Sequence, residues 1–437
     1  MKKTSRFLIG AGCFILLCIS WLIAIKSSST AEKQLELMRK ASGYVEDGIF
    51  VSAVPLLEEA AGYNAANTLK AEEELKKVYL ALMENGGFKR KYTALLDKQM
   101  NRKDAKSGVF AEAAHYYLSI SKYPDALKAL KTGIEKTGSE DLNIIYESNR
   151  YRFEMSRSSY DYVAAIYGSS VQVERDGLWG IARSDGVPVI PCEYDKISTY
   201  SAGRAVVMKS GEIYAVDKDN NRVAKLHEHA LDFGNLADDR IPLRFDDGWR
   251  RAFGSLDCGT IVFEKVGMYS SGYAAAKSNG KWGVIDSASG WLIPAEYDGI
   301  IQDELGRCYA QGAVFTQKDG EVFLIVQGRQ IDGAFEDARP FSGEGYAAVR
   351  KNGKWGYIDT NGEVKVGFIY DDALSFGQHL AAVKIGELWG YISIYGENVI
   401  APAFLEAKSF SNGSAPVLTG KGWQFITLLE YKKEAGL

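Results

Sequence analysis

Closely spaced acidic residues are the first candidates for chemistry in this sequence. Glu193-Tyr194-Asp195 and Glu296-Tyr297-Asp298 each carry two carboxylates, and Tyr370-Asp371-Asp372 is a related triplet. Two carboxylic acids flanking a glycosidic bond are what glycoside hydrolysis requires. One active site needs one such pair, however, whereas these triplets recur along the chain. The recurrence favours their interpretation as turn or cap residues that follow strands.

The histidines offer a second candidate site. His227 and His229 would share one face of an extended segment and could hold a metal ion, but no third ligand is recognisable nearby. The chain has only four histidines, and it lacks a Gly-x-Ser-x-Gly elbow, a phosphate-binding loop and a dinucleotide fingerprint. We therefore expect no catalytic residue, no metal and no cofactor, and hence a protein that is not an enzyme.

Length, composition and charge limit the class of protein. A chain of 437 residues is too long for one compact core, so several folding units or a repeat array are expected. Its 46% hydrophobic and 25% charged residues are typical of globular protein. The net charge of −4, with no basic block beyond the extreme N-terminus, excludes a nucleic-acid partner.

The N-terminus has the pattern of a membrane anchor. Lys2, Lys3 and Arg6 precede residues 7–25, which are nineteen residues without a charge. That length fits the hydrocarbon core of a bilayer. Because positive charge stays cytoplasmic, residues 1–30 are predicted as a cytoplasmic tip and signal-anchor, with the bulk of the chain outside the cell membrane. The alternative is a secreted protein, produced by signal cleavage near Ala31.

Residues 31–165 have a helical pattern. Apolar residues recur there every three and four positions, and Ala, Leu, Glu and Lys dominate. Pro124 suits the first turn of a helix. One stretch resembles a tetratricopeptide repeat (TPR), with fainter copies starting at Leu37 and Leu75, and this resemblance implies three helical hairpins that bind a protein partner. The alternative is a generic helical bundle that serves as a stalk. The residues carrying the resemblance are Phe110, Ala113, Ala114, Tyr117, Tyr123, Ala126, Leu130 and Gly133.

The remainder of the chain repeats with a period of about 35 residues. A Trp-Gly pair recurs in similar phrases, of which Asn352-Gly-Lys-Trp-Gly-Tyr-Ile-Asp359 is one. Stepping by this period between the pairs gives eight positions: 179, 214, 249, 282, 323, 355, 389 and 423. The pairs are Trp179-Gly180, Trp282-Gly283, Trp355-Gly356 and Trp389-Gly390, and Trp423 occupies the last position.

These phrases resemble the WG-containing (KWG) repeat of bacterial envelope proteins. Each unit is predicted to be a small antiparallel sheet of three strands, with Asn352-Gly353 as a two-residue hairpin turn. Alternation places Trp355 and Tyr357 on one face, with Gly356 and Ile358 on the other, where glycine allows close approach. Such small units must stack for stability. We therefore predict a β-repeat domain over 171–430, as a β-propeller-like ring or, alternatively, an open β-solenoid.

The predicted fold class is thus α+β and multidomain: a transmembrane helix, TPR-like helical hairpins and an all-β array. One tryptophan per unit in constant register indicates a packing residue rather than a ligand-binding one. Tyr200, Tyr269 and Tyr309 vary between units and are the candidate surface-binding residues. The functional hypothesis is a membrane-anchored, non-catalytic scaffold for protein partners. The alternative is a surface module that binds cell-wall glycan.

Overall fold

The computed structural model describes residues 29–63, 65–84, 86–225, 229–253 and 257–431. The chain divides into two compact units, Met1–Ser148 and Asn149–Leu437. The predicted membrane span, residues 7–25, lies outside the described residues. Among the helices that are described, none is long and apolar enough to cross a membrane.

The first unit contains seven helices in its described part. Pro124 lies in the first turn of α6, as the sequence predicts, and this helix ends at Gly138, whose φ of +63° is left-handed. The helices are α1 (29–46), α2 (Phe50–Gly62), α3 (Thr68–Ala81), α4 (Gly86–Met100), α5 (Ser107–Ser119), α6 (Tyr123–Thr137) and α7 (Glu140–Glu147). Membership of the tetratricopeptide family stays a prediction.

Small residues allow the last three helices to approach closely. Ala113 and Ala126 are completely buried. A Cβ on Gly133 would lie 2.7 Å from the Cβ of Phe110 and 2.6 Å from Cδ1 of Leu142. The helical region ends at Glu147 and not near residue 165, because residues 153–155 and 162–163 form strands of the second unit.

The second unit contains eight antiparallel sheets of four strands each, which we call blades. Blade 1 has β2 (Tyr162–Val163), β3 (Ser170–Arg175), β4 (Leu178–Arg183) and β5 (Pro188–Tyr194), and blade 2 has β6 (Lys196–Ile197), β7 (Ala205–Lys209), β8 (Glu212–Val216) and β9 (Arg222–Lys225). Blade 3 has β10 (Asp232–Phe233), β11 (Arg240–Phe245), β12 (Gly248–Phe253) and β13 (Asp257–Cys258), and blade 4 has β14 (Lys265–Val266), β15 (Ala274–Ser278), β16 (Lys281–Ile285) and β17 (Trp291–Tyr297). Blade 5 has β18 (Gly299–Ile300), β19 (Ala313–Lys318), β20 (Glu321–Val326) and β21 (Arg329–Gln330), and blade 6 has β22 (Asp337–Ala338), β23 (Tyr346–Lys351), β24 (Lys354–Asp359) and β25 (Val364–Tyr370). Blade 7 has β26 (Asp372–Ala373), β27 (Leu380–Ile385), β28 (Leu388–Ser393) and β29 (Asn398–Phe404), and blade 8 has β30 (Glu406–Ala407), β31 (Ser414–Thr419), β32 (Gly422–Leu428) and, from the start of the unit, β1 (Phe153–Met155). A short 3₁₀-helix, Leu429–Tyr431, follows β32.

Blade 8 closes the array into a ring. Its outer strand β1 comes from the start of the unit and pairs antiparallel with β32 near the end, with Phe153 opposite Leu428 and Met155 opposite Ile426. The two ends of the unit therefore share one sheet. This eight-bladed β-propeller confirms the ring and excludes the open solenoid.

The predicted repeat positions coincide with the blades. All eight positions fall in the third strand of a blade, from Trp179 in β4 to Trp423 in β32. The prediction of three strands per unit was wrong by one. The additional first strand is only two residues long, as in Asp372–Ala373, and is too short to show an alternating pattern.

The hairpin turns and the two strand faces agree with the sequence. Asn352 and Gly353 both have positive φ, +53° and +74°, as a two-residue hairpin turn requires. Trp355 and Tyr357 pack in one cluster with apolar residues of blade 7, whereas Ile358 packs in another with apolar residues of blade 5. Each blade thus buries both faces against its neighbours, which is why the units depend on stacking.

Candidate functional site

The repeated tryptophans of blades 6, 7 and 8 are buried packing residues. Trp355, Trp389 and Trp423 are at most 7% exposed. Trp179 and Trp282 are half-buried and pack against the clusters of their blades. These rings are not arranged as an open row on which a ligand could stack.

The glycine of each Trp-Gly pair lies beneath a bulge in the outer strand. In blade 7, Trp389 pairs with Phe404 and Tyr391 with Ile400, so four residues of β29 run alongside two of β28. A Cβ on Gly390 would lie 2.5 Å from the carbonyl oxygen of Ile400. Glycine is therefore required because the bulged backbone rests on it.

The bulge also explains why some units lack the pair. Blades 1, 4, 6 and 7 have both the Trp-Gly pair and a seven-residue outer strand. The other four blades have outer strands of only two to four residues. Gly180, Gly283 and Gly356 resemble Gly390, since a Cβ on each would meet backbone atoms of the outer strand at under 3 Å.

The acidic triplets cap hairpins. The Oδ2 atoms of Asp195, Asp298 and Asp371 accept backbone N–H groups of the next blade's hairpin, at 2.7, 2.9 and 2.7 Å. Lys281 and Lys354 donate to the other oxygen of Asp298 and Asp371, each at 2.6 Å. These contacts show how the aspartates join one blade to the next, as the turn-cap interpretation expects.

This capping predicts acid sensitivity. Hydrogen bonds from the Lys281 side chain and from the backbone N–H of Asp319 lower the pKa of Asp298. Since an unfolded aspartate titrates near pH ~3.9, the folded carboxylate stabilises the ring above that pH, and the contribution is lost as pH falls through the folded pKa. We expect Asp298→Asn to be less stable than the parent at neutral pH and to approach it at about pH 2. Denaturant midpoints across this range measure the difference, and a difference independent of pH would contradict the assignment.

The three candidate tyrosines differ in position. Tyr269 is completely buried among apolar residues of blade 4, and this burial raises the pKa of its hydroxyl to about 12. It is therefore not a surface-binding residue. Tyr200 is half-buried against the apolar cluster of blade 2. Tyr309 is also half-buried and lines a cavity, and its ring centre lies 4.4 Å from that of Tyr273.

No group of three or more potential metal ligands occurs among the residues that the structure describes. His227 lies outside them, so the predicted weakness of the histidine pair as a metal site stays a prediction.

A cavity of about 770 Å³ occupies one face of the ring. It is bordered by the connections between the first and second strands of blades 1, 4, 5, 6, 7 and 8. We call this side the loop face. Because neighbouring strands are antiparallel, the two-residue hairpins such as Asn352-Gly353 lie on the opposite side, the hairpin face. The cavity is the candidate functional site.

A loop of blade 5 crosses the centre of the ring and lines this cavity. The connection from β18 to β19, residues 301–312, is twelve residues long, against six or seven in every other blade. We call residues 302–307 the central loop. Glu304 accepts hydrogen bonds from the backbone N–H of Ala165 at 2.8 Å and from Tyr162 at 3.1 Å, and it pairs with Lys408 at 2.5 Å. Blade 5 is thereby joined to blades 1 and 8, at the seam where the ring closes.

The central loop is held in one conformation. Asp303 accepts the backbone N–H groups of Leu305 and Arg307 at 3.0 and 2.9 Å, and the Arg307 side chain returns to Asp303 at 2.6 Å. Leu305 is buried, and its carbonyl accepts a hydrogen bond from Asn235 of blade 3 at 3.0 Å. Sequence reasoning missed this loop. Its one signal was the 41-residue step from Trp282 to Phe323, longer than the other steps.

The comparison with solved structures found chains of low similarity to this one. Hsv2 of Kluyveromyces lactis is 11% identical with a TM-score of 0.35, over 58% of this chain and 93% of that one. The Pan2 WD40 domain of Neurospora crassa is 9% identical with a TM-score of 0.33, over 61% of this chain and 88% of that one. No curated protein matches the sequence.

A family model does match the repeats. The WG containing repeat model matches residues 179–212, 260–282, 282–303, 331–355, 355–389 and 389–423. Most of these segments begin or end at a tryptophan of the third strand, so the sequence repeat is offset from the blade that it builds. Within residues 179–423, the β-propeller therefore carries WG-containing repeats at these six segments.

Proposed function

We propose that this protein is a membrane-anchored, non-catalytic scaffold that binds protein partners on the outer side of the membrane. The supporting observation is that the repeated residues have structural roles in the blades. The tryptophans of the repeat pack in apolar clusters, its glycines lie beneath the bulges of the outer strands, and its aspartates cap hairpins. What differs between blades is the set of connections on the loop face, which a closed ring holds in fixed positions.

The helical unit adds a second surface to this proposal. Val51 of α2, Leu69 of α3 and Ile144 of α7 are each about 60% exposed. We propose that a partner contacts the helical unit at exposed apolar side chains of this kind. The sequence pattern that predicts three helical hairpins supports the same role.

The anchor is proposed from the sequence alone. Three basic residues before nineteen uncharged ones favour retention in the membrane, with both compact units outside. In intact cells, we expect added protease to digest the full chain and alkaline carbonate to leave it in the membrane fraction. A chain that is protected from protease, or released by carbonate, would reject this part of the proposal.

Site-specific photo-crosslinking in cells tests the scaffold itself. A photoreactive amino acid is placed in the full chain at Val51 on the helices, at Gly343 on the loop face, or at Lys351 beside a turn of the hairpin face. We expect discrete protein adducts from Val51 and Gly343, identified by mass spectrometry, and none from Lys351. Gly343 and Lys351 are a matched pair because both are exposed residues of blade 6.

The absence of a discrete adduct from both Val51 and Gly343 would contradict the scaffold proposal. Equal adducts from all three positions would also count against it, because they would indicate nonspecific contact.

A further inference from the structure

Four of the six charged side chains of the cavity are paired with one another. Arg307 pairs with Asp303 at 2.6 Å, and Lys408 pairs with Glu304 at 2.5 Å. An anionic ligand would therefore find these two cations already paired, and the loss of its hydration on binding would be costly.

The remaining two charges also have partners. Arg339 lies 4.4 Å from the ring centre of Trp355 and contacts Asp337 and Asp372 at 3.5 and 3.4 Å. Glu344 accepts the backbone N–H of His379 at 3.2 Å. The lining contains three cationic and three anionic side chains in all, so its net charge is zero.

The uncharged part of the lining suits a ligand rich in hydroxyl groups. Six serines and three glutamines contribute hydroxyl and carboxamide groups. Some of these hydroxyls already donate to backbone carbonyls, as those of Ser375 and Ser409 do, but a donating hydroxyl can still accept a hydrogen bond, and a carboxamide carries both donors and an acceptor. Tyr309 adds a half-buried aromatic ring at the same wall. A sugar ring presents both kinds of surface: hydroxyls at its edge and an apolar face of C–H groups that packs on an aromatic ring.

The size and rigidity of the cavity favour a small ligand. Its volume of about 770 Å³ falls within the range of small-molecule sites, whereas protein partners usually bury a broad area of about 800 Å² on each side. Ser375 donates to the carbonyl of Pro340 at 2.6 Å, and Ser409 donates to that of Ser375 at 2.7 Å. These bonds link blades 6, 7 and 8 around the rim of the cavity. Few side chains of the rim therefore need to become ordered when a ligand binds.

We propose that the cavity on the loop face binds an uncharged oligosaccharide, with the central loop forming part of its wall. This site is additional to the protein-binding role and does not depend on it. Tyr309 supplies the stacking surface, and the serine and glutamine side chains supply the hydrogen bonds.

Isothermal titration of the purified full chain in detergent tests this assignment. The probes are three neutral tetrasaccharides: chitotetraose, cellotetraose and maltotetraose. We expect saturable binding of at least one, with one site per chain. Trigalacturonate, tetralysine and the neutral peptide Ser-Gly-Gly-Ser should each bind at least about tenfold more weakly.

Two matched variants locate the site. A Cβ on Gly343 would meet no atom within 4 Å, and this residue lines the cavity with an ordinary φ, so Gly343→Trp adds a large ring at the cavity wall without straining the backbone. Gly367→Trp is the control, since Gly367 is equally open but lies in the outer strand β25, away from the lining. We expect the first variant to lose binding and the second to retain it.

A second pair of variants tests the stacking residue. Tyr309→Ala should weaken binding about tenfold, whereas Tyr309→Phe, which keeps the ring, should bind nearly as the parent does. Circular dichroism melting curves matching those of the parent show that the variants are folded.

The proposal is overturned if none of the three tetrasaccharides binds, or if Gly343→Trp binds as well as Gly367→Trp. Tighter binding of the peptide would assign the cavity to a protein segment and would also overturn it. Because the crosslinking experiment detects protein adducts and the titration detects sugar, either proposal can fail while the other stands.

Discussion

Trp355→Ala is expected to lower the free energy of unfolding of the β-propeller by about 3–5 kcal/mol, the range observed when a large buried aromatic side chain is removed. Trp355 is 3% exposed and packs against Val366 and Tyr370 of its own blade and against Ala373 of blade 7. The substitution would therefore leave a cavity at an interface between blades. Urea denaturation of the full chain, followed by circular dichroism, measures the loss.

Tyr395→Ala is the matched control for this prediction. Tyr395 is an aromatic residue in the turn between β28 and β29 of the neighbouring blade and is 80% exposed. Its removal should change stability by less than about 0.5 kcal/mol, as is usual for surface positions. A similarly small effect of Trp355→Ala would mean that the ring is not a packing residue, and it would restore the hypothesis that the tryptophans bind a ligand.

The sequence predicted the repeat well because its signal comes from packing. A large aromatic residue must occupy the same place in every blade, so the period that ends at Trp423 is visible even where the glycine is lost. The two-residue turn at Asn352-Gly353 was equally predictable, since few residues accept positive φ at both positions.

Closure of the ring was harder to predict because it depends on a strand far away in the chain. β1 is three residues long and has no repeat signature, yet it completes blade 8 through Phe153 and Met155. A strand so short has too few residues for alternation to be recognised. The sequence therefore assigned residues 153–163 to the helical region.

The candidate site was predicted only in part, because burial depends on tertiary contacts. Tyr269 and Tyr309 occupy nearly equivalent places, after the first strand of their blades, but only Tyr309 lines the cavity. The difference arises from neighbours that the sequence does not reveal: Leu305 of the central loop shares the cluster that buries Tyr269. The net charge of the lining likewise depends on pairs between distant residues, such as Lys408 and Glu304.

Gly390→Ala is expected to destabilise the propeller by about 1–3 kcal/mol, although it adds only one methyl group. The new Cβ would lie 2.5 Å from the carbonyl oxygen of Ile400 and 2.7 Å from the backbone nitrogen of Pro402. Both are backbone atoms of the bulge in β29, so no side-chain rotation can relieve the overlap. Either β28 and β29 separate or the bulge is lost, and each outcome disturbs the pairing that positions Trp389 opposite Phe404.

Gly367→Ala separates this steric effect from the general cost of replacing glycine in a strand. Gly367 lies in β25, the corresponding outer strand of blade 6, where a Cβ would meet no atom within 4 Å and φ is not positive. Alanine there should be neutral or slightly stabilising, since it restricts the unfolded chain. Urea denaturation midpoints of the two variants give the comparison. If they were equal, the Trp-Gly pair would owe its glycine to something other than the bulge, and the link between that pair and the seven-residue outer strands would lose its physical basis.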